Sequence, residues 1–146
     1  MGLRRLPRQG AIALDTSLFI YFIEEHPGWI DVVDAIFTLT VQGHRQLVTS
    51  ELTLSECLVV PYRLGDSYLA ERYEALLTRA RGLSMIPIAR RNLRAAARLR
   101  AAYGLKTPDA IQIAAALEGQ CSCFVTNDRR LPNIPELKIF QLSDLA

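Results

Sequence analysis

Residues 11–17 read AIALDTS. Ile12 and Leu14 belong to a short apolar run of the kind that forms a buried strand. The run stops at Asp15, two hydroxyls follow in Thr16 and Ser17, and apolar residues resume over 18–23. A strand that ends in an acid and hydroxyls and then turns into a helix is the entry to an α/β unit. Asp15 or Thr16 also has an ordinary task there, as the cap of the next helix. The stretch gains weight because three more acids occupy comparable places further on.

Downstream, residues 18–25 predict a short helix stopped by His26-Pro27-Gly28. Residues 29–41 carry Trp29, Val32, Val33, Ile36, Phe37 and Leu39 at helical spacing, ended by Gly43. QLVT at 46–49 predicts a strand. Ser50 is a natural N-cap for a helix reaching about Leu64, in which Glu56 lies among Leu54, Cys57, Leu58, Val59 and Val60. Gly65 closes it, Asp66 or Ser67 opens the next, and residues 68–81 are amphipathic. LSMIPI at 83–88 predicts a strand, with Pro87 marking an edge or an end. Residues 90–103 predict an alanine- and arginine-rich helix stopped by Gly104. Thr107 as N-cap and Pro108 in the first turn open a helix through the apolar run AIQIAAAL at 110–117, ended by Gly119. A strand at 122–125 precedes Thr126-Asn127-Asp128, and LKIFQL at 137–142 predicts the last strand.

Strands separated by helices predict a parallel sheet with helices on both faces. Helices that run back antiparallel to the strands put their N-termini at the carboxyl edge, where such sheets bind ligands. Asp15 ends the first strand, and Glu56 is early in the helix after the second. Asp109 is in the first turn of the helix leading into the fourth, and Asp128 follows that strand. All four are expected at one edge. Each has a plain alternative: Asp109 favours the helix dipole, Asp128 suits a turn, and Glu56 can be a solvated helix residue. Together, without a lysine beside any of them, they would repel one another. A hard divalent cation, Mg²⁺ or Mn²⁺, resolves this with oxygen ligands and retained waters. An acidic metal site with open positions suits phosphoryl chemistry.

The 146 residues predict one domain with a real core, and 50% hydrophobic content argues against disorder. The apolar runs are too short or interrupted to span a membrane. Residues 1–10 hold Arg4, Arg5 and Arg8 with no apolar segment behind them. They are expected to be a loose basic extension rather than a signal peptide, with residues 11–146 as the domain. Cys57, Cys121 and Cys123 are odd in number and lie in apolar contexts. With only His26 and His44 beside them, they predict buried thiols in a reducing cytoplasm rather than a disulfide framework or a zinc site. A net charge of +2 does not by itself indicate a nucleic-acid protein.

Asp15 in LDTSLFIYF, Glu56 in SELTLSE, Asp109 in KTPDAIQIAAAL and Asp128 in FVTNDRRL resemble the four signature segments of PIN-domain ribonucleases. The resemblance runs over about residues 12–142, and the compact size is most similar to a VapC-type toxin of a toxin–antitoxin pair. It implies a three-layer α/β/α fold with a five-stranded parallel sheet and the first strand central. It also implies Mg²⁺ or Mn²⁺ held chiefly through Asp15 and Asp109, with Glu56 and Asp128 completing the site. A homodimer, an RNA substrate and a small antitoxin partner follow from the same resemblance. Thr16, Ser17, Thr126 and Asn127 match positions that support the acids or touch the scissile phosphate, or else serve as caps and turn residues.

Arginines are the other feature. Arg90, Arg94 and Arg98 share one helix face, with Arg91, Arg79 and Arg81 near in sequence. Such a face holds an RNA backbone or keeps a surface solvated. Arg129 and Arg130 follow Asp128, and at least one is expected to bind substrate. Two other readings compete: a PIN nuclease of housekeeping RNA processing, and a receiver-like Mg²⁺-binding signalling domain. The receiver pattern requires an acid pair at the end of the first strand and a lysine after the core of the last. Here Leu14 precedes Asp15, and Lys138 starts the last strand instead.

Overall fold

The computed structural model describes residues 2–42 and 44–146. Five parallel strands form one sheet: β1 (Ala11–Leu14), β2 (Leu47–Ser50), β3 (Leu83–Ile86), β4 (Cys121–Thr126) and β5 (Ile139–Gln141). Their order is β3-β2-β1-β4-β5, so the first strand is central, as expected. Ile12 stands opposite Leu47 on one side and Cys123 on the other. Helices come in pairs between strands. α1 (Thr16–Ile23) and α2 (Ile30–Gln42) lead to β2. α3 (Leu52–Leu64) and α4 (Ser67–Arg79) lead to β3, and α5 (Arg90–Tyr103) and α6 (Thr107–Glu118) lead to β4. A short α7 (Leu142–Leu145) follows β5.

Successive strand residues face opposite sides, and this builds the three layers. Ile12, Leu14, Cys123 and Val125 pack on Leu18, Phe19, Val33, Ile36 and Tyr73. Ala13 and Phe124 face the other way, onto Leu99, Ile113, Ala114 and Ile134. Burying each such large apolar side chain is worth about 1.5–3 kcal/mol. The alanines of α6 are short enough to let that helix lie close against the sheet. Gly65 (φ +66°) and Gly104 (φ +69°) end α3 and α5 in the left-handed conformation that only glycine adopts freely. The stop expected at Gly43 lies outside the described residues.

Several expectations change. Residues 2–10 are docked rather than loose. Leu6 is buried with the core, Gly2–Arg5 forms a 3-10 turn against α7, and Arg45 donates from Nε and Nη2 to the Gly10 carbonyl at 2.9 and 2.7 Å. Thr107 is the first residue of α6 and Lys106 its cap; Pro108 sits in the first turn, where its missing N–H costs nothing. Ser50 ends β2 and Glu51 is the cap of α3, although the Ser50 hydroxyl still accepts from the Leu52 N–H at 3.1 Å. The last strand is shorter than expected, Ile139–Gln141, and α7 takes over at Leu142. Not every helix starts at the carboxyl edge. Arg91 and Asn92, at the start of α5, donate to Glu118, which ends α6. α5 therefore begins beside the far end of α6 and returns the chain to the edge, where α6 begins.

Candidate active site

The site forms where β1 and β4 end side by side. The Asp15 N–H donates to the Val125 carbonyl at 3.0 Å, which ties the two strand ends together. Asp15 is extended (ψ 161°) and caps α1, its Oδ1 accepting from the Thr16 N–H at 2.9 Å. Its other oxygen, Oδ2, accepts from the Thr126 hydroxyl at 2.6 Å. Thr126 also accepts from the Asp128 N–H at 3.0 Å. One fully buried hydroxyl thus orients one acid and the backbone of a second.

Glu56 reaches the site from the second turn of α3 and accepts from the Thr16 hydroxyl at 2.6 Å. Asn127 is held by donation from Nδ2 to the Tyr21 hydroxyl at 3.0 Å. The Asp128 carboxylate accepts from the Arg130 N–H (2.9 Å) and Nε (3.1 Å), a turn closed by its own side chain. Gln141 donates to the Asp128 carbonyl at 3.0 Å. Asp15, Thr16, Ser17, Ile20, Tyr21, Glu56, Asn127, Asp128 and Arg130 line one shallow cavity of about 480 Å³. A larger cavity of about 890 Å³ lies on α3 and α4, lined by Tyr62, Tyr68, Arg72 and Arg79 among others, and includes none of the four acids.

The expected residues are not all brought together. Asp109, in the first turn of α6, stands outside the cavity lining yet within reach of its charges. Thr126 lies behind Asp15, fully buried. Arg129 turns away, donating to the Ser143 hydroxyl at 2.7 Å. The cluster is also less free of cations than the sequence suggested: Arg130 sits on Asp128, and Lys106 acts on both Asp109 and Asp128. Three polar residues enter that the sequence did not single out: Gln112, Thr49 and Thr53, all buried behind Thr16. The signal for Gln112 was its place as the one polar residue in AIQIAAAL.

Electrostatics separate the acids. Burial pushes the Asp15 carboxyl above the usual carboxylate range. The hydrogen bonds from Thr126 and Thr16 oppose this, and the charges of Glu56 and Asp128 reinforce it. Burial also raises Asp109, helped by the charges of Asp15 and Asp128 and opposed by Arg130 and Lys106. Asp128 is lowered, chiefly by the Arg130 hydrogen bond. Among the described residues, no three acidic, histidine or cysteine side chains gather into a ready metal cage. The candidate ligand atoms are nevertheless oxygens, from carboxylates, hydroxyls and the Asn127 amide. That fits a hard cation that keeps most of its waters and takes one or two carboxylates directly. Asp15 and Asp109 are raised first by burial and then by the neighbouring acids, and a bound cation would offset the second effect.

Residues 12–137 match the model of the PIN domain family. No curated protein sequence matches the chain. Among solved structures, a toxin–antitoxin complex from Klebsiella pneumoniae contains a chain that is 18% identical with TM-score 0.66; the match covers 90% of this chain and 98% of that one. VapBC2 from Rickettsia felis, bound to a DNA fragment from its promoter, is 18% identical with TM-score 0.63 over 90% and 98%. DNA-bound VapBC from Salmonella typhimurium is 22% identical with TM-score 0.64 over 92% and 99%. At these identities the likeness is one of fold.

Proposed function

The chain belongs to the PIN domain family, a family of nucleases, and on that premise we propose that it is a metal-dependent endoribonuclease, the toxin of a type II toxin–antitoxin pair. The observation that carries the reading is the cavity in which Asp15, Glu56 and Asp128 meet at the carboxyl edge, with Asp109 beside it. Asp15, Glu56, Asp109 and Asp128 would hold Mg²⁺ or Mn²⁺, directly or through water. The cation supplies charge neutralisation at the phosphate and activation of the attacking water.

The chain's own residues do the rest. Thr126 and the Thr16 N–H hold one oxygen each of Asp15 and leave its remaining lone pairs facing the cavity. Arg130, exposed and forked on Asp128, is placed to exchange that carboxylate for an RNA phosphate. Asn127 and Ser17 line the same cavity and would meet a phosphate oxygen bound there. An anionic cavity of this kind also takes a guanidinium, so the antitoxin is expected to insert a basic side chain among the acids. The toxin–antitoxin complexes that share the fold support a small protein partner. A homodimer and a cytoplasmic setting belong to the same proposal.

Purified protein, freed of its partner, should cleave RNA in Mg²⁺ or Mn²⁺ and stop in excess chelator. Cleavage that survives both chelation and Asp15→Asn overturns the metal mechanism. Co-purification from the native operon tests the toxin assignment separately. If no small protein accompanies the chain, and its expression alone harms no host, the nuclease stands without the toxin.

A further inference from the structure

Gln112 lies in the middle of α6, 3% exposed, behind the acids rather than among them. A buried amide is costly unless its polar atoms are bonded. Its Oε1 faces the Ser50 backbone N–H at 3.3 Å. A backbone N–H only donates, so the oxygen must stand there and Nε2 must face the threonines. Nε2 donates to Thr53 Oγ1 at 2.8 Å and to Thr16 Oγ1 at 3.3 Å.

Proton counting directs the remaining bonds. Thr49 has one hydroxyl proton, and it points to acceptors that cannot donate back, the Leu14 carbonyl at 2.9 Å and, more distantly, Gln112 Oε1 at 3.5 Å. Thr53, 2.7 Å from Thr49, must therefore donate to it. Thr16 gives its single proton to Glu56 Oε1 at 2.6 Å. Thr16 and Thr53, 3.3 Å apart, have no proton left to share, and both present lone pairs to the Gln112 amide. Among the described residues the Glu56 carboxylate accepts no other hydrogen bond.

We propose that Gln112 is a positioning residue for Glu56: its two amide protons occupy the oxygens of Thr16 and Thr53, so that the Thr16 hydroxyl is left aimed at the Glu56 carboxylate. The device needs an amide. An apolar residue at this position frees Thr16 to rotate inward. A carboxylate offers a rival acceptor for the same proton.

The kinetic part of the test rests on the nuclease reading; the binding part does not. Gln112→Met keeps the length and removes both donors. With Glu56 intact it should lower kcat by roughly 10–100-fold, as losses of groups that orient a metal site do, and leave KM for RNA nearly unchanged. In a Glu56→Ala background the same change should alter kcat by less than about twofold, because it acts through the missing carboxylate. Calorimetric titration with Mn²⁺, without RNA, should show weaker binding for Gln112→Met than for wild type, and no weakening when the same change is added to Glu56→Ala. Equal losses in both backgrounds, or wild-type kcat and Mn²⁺ affinity in Gln112→Met, overturn the proposal. If the wild type cleaves no RNA, the nuclease reading falls and the Mn²⁺ titration alone decides Gln112. Where Gln112→Met does not fold, or Mn²⁺ does not bind, the side-chain amide resonances of Gln112 in the otherwise native chain decide. They should move on Glu56→Ala and stay on Asp128→Asn; no movement on Glu56→Ala overturns the proposal.

Discussion

Replacing Thr126 by valine keeps the shape of a fully buried side chain and deletes one oxygen. Two bonds go with it: the donation to Asp15 Oδ2 at 2.6 Å and the acceptance from the Asp128 N–H at 3.0 Å. A hydrogen bond to a charged group contributes about 1.5–3 kcal/mol, and an orphaned N–H costs about 1–3 kcal/mol when dry. Asp128 is half-buried, so water reaches part of its backbone and the second figure falls to its low end. A net loss of about 2.5–4 kcal/mol follows where Asp15 is ionised. For a chain of this size it lowers Tm by about 5–15 °C. The pH dependence identifies the mechanism. Thr126 is the largest influence holding the buried Asp15 carboxyl down, so its loss raises that pKa further. The Asp15 contribution to the difference between wild type and variant exists only where Asp15 is ionised in the native protein. It is full above the native pKa of Asp15 in the variant, which is the higher of the two, and fades as pH falls through that value and then through the wild-type one. Thermal melts in chelator, near pH 7 and near pH 3, read this directly. In cleavage assays the acid limb of the rate profile should move to higher pH, while Thr126→Ser, which keeps the hydroxyl, should leave it in place. A stability loss of the same size at both pH values, with an unmoved acid limb, would refute the reasoning and reduce Thr126 to packing.

Asp109→Asn should make the metal-free protein as stable as wild type or more so near pH 7, because burial and the charges of Asp15 and Asp128 disfavour the ionised acid. The difference should vanish below the ordinary aspartate pKa of about 3.9, and Mg²⁺ should raise Tm less than in wild type; a variant unfolded without metal makes Asp109 a structural cap. Arg130→Ala should reduce the slope of log affinity for single-stranded RNA against log salt by about 0.7. Arg129→Ala, whose guanidinium already bonds Ser143, should change it less; equal slopes would mean that neither meets a phosphate. Cys57, Cys121 and Cys123 should resist alkylation in the native state near pH 8, because burial pushes their thiols up to about 12, 12 and 11. Rapid labelling of Cys57 would mean that its part of the core opens.

The sheet was legible because its strands are short apolar runs with abrupt ends, and helix stops at Gly65 and Gly104 need a conformation few other residues accept. What was missed turns on pairing across the fold. Nothing local in residues 2–10 says that Leu6 has a place in the core, since Leu3 and Leu6, two leucines among arginines in so short a stretch, are too few to set a period. The direction of α5 depends on its packing against α6, and periodicity reports which face is apolar, not which way the helix runs.

The same boundary divides the site. Asp15 and Asp128 were readable because strand ends place side chains at the edge of the sheet whatever surrounds them. Arg129 and Arg130 are equivalent as text, yet in a turn consecutive side chains diverge: one reaches Ser143 and the other Asp128. Gln112 sat inside an apolar run and read as core, and by burial that is what it is. Its partners come from the start of α1, the end of β2 and the start of α3, segments 59 to 96 residues away along the chain. Only the assembled sheet brings them together. A lone polar residue in a buried helix implies an unmet need for partners on several other elements. When those partners are hydroxyls that end at an acid, the need of the core and the aim of the site are met by the same protons.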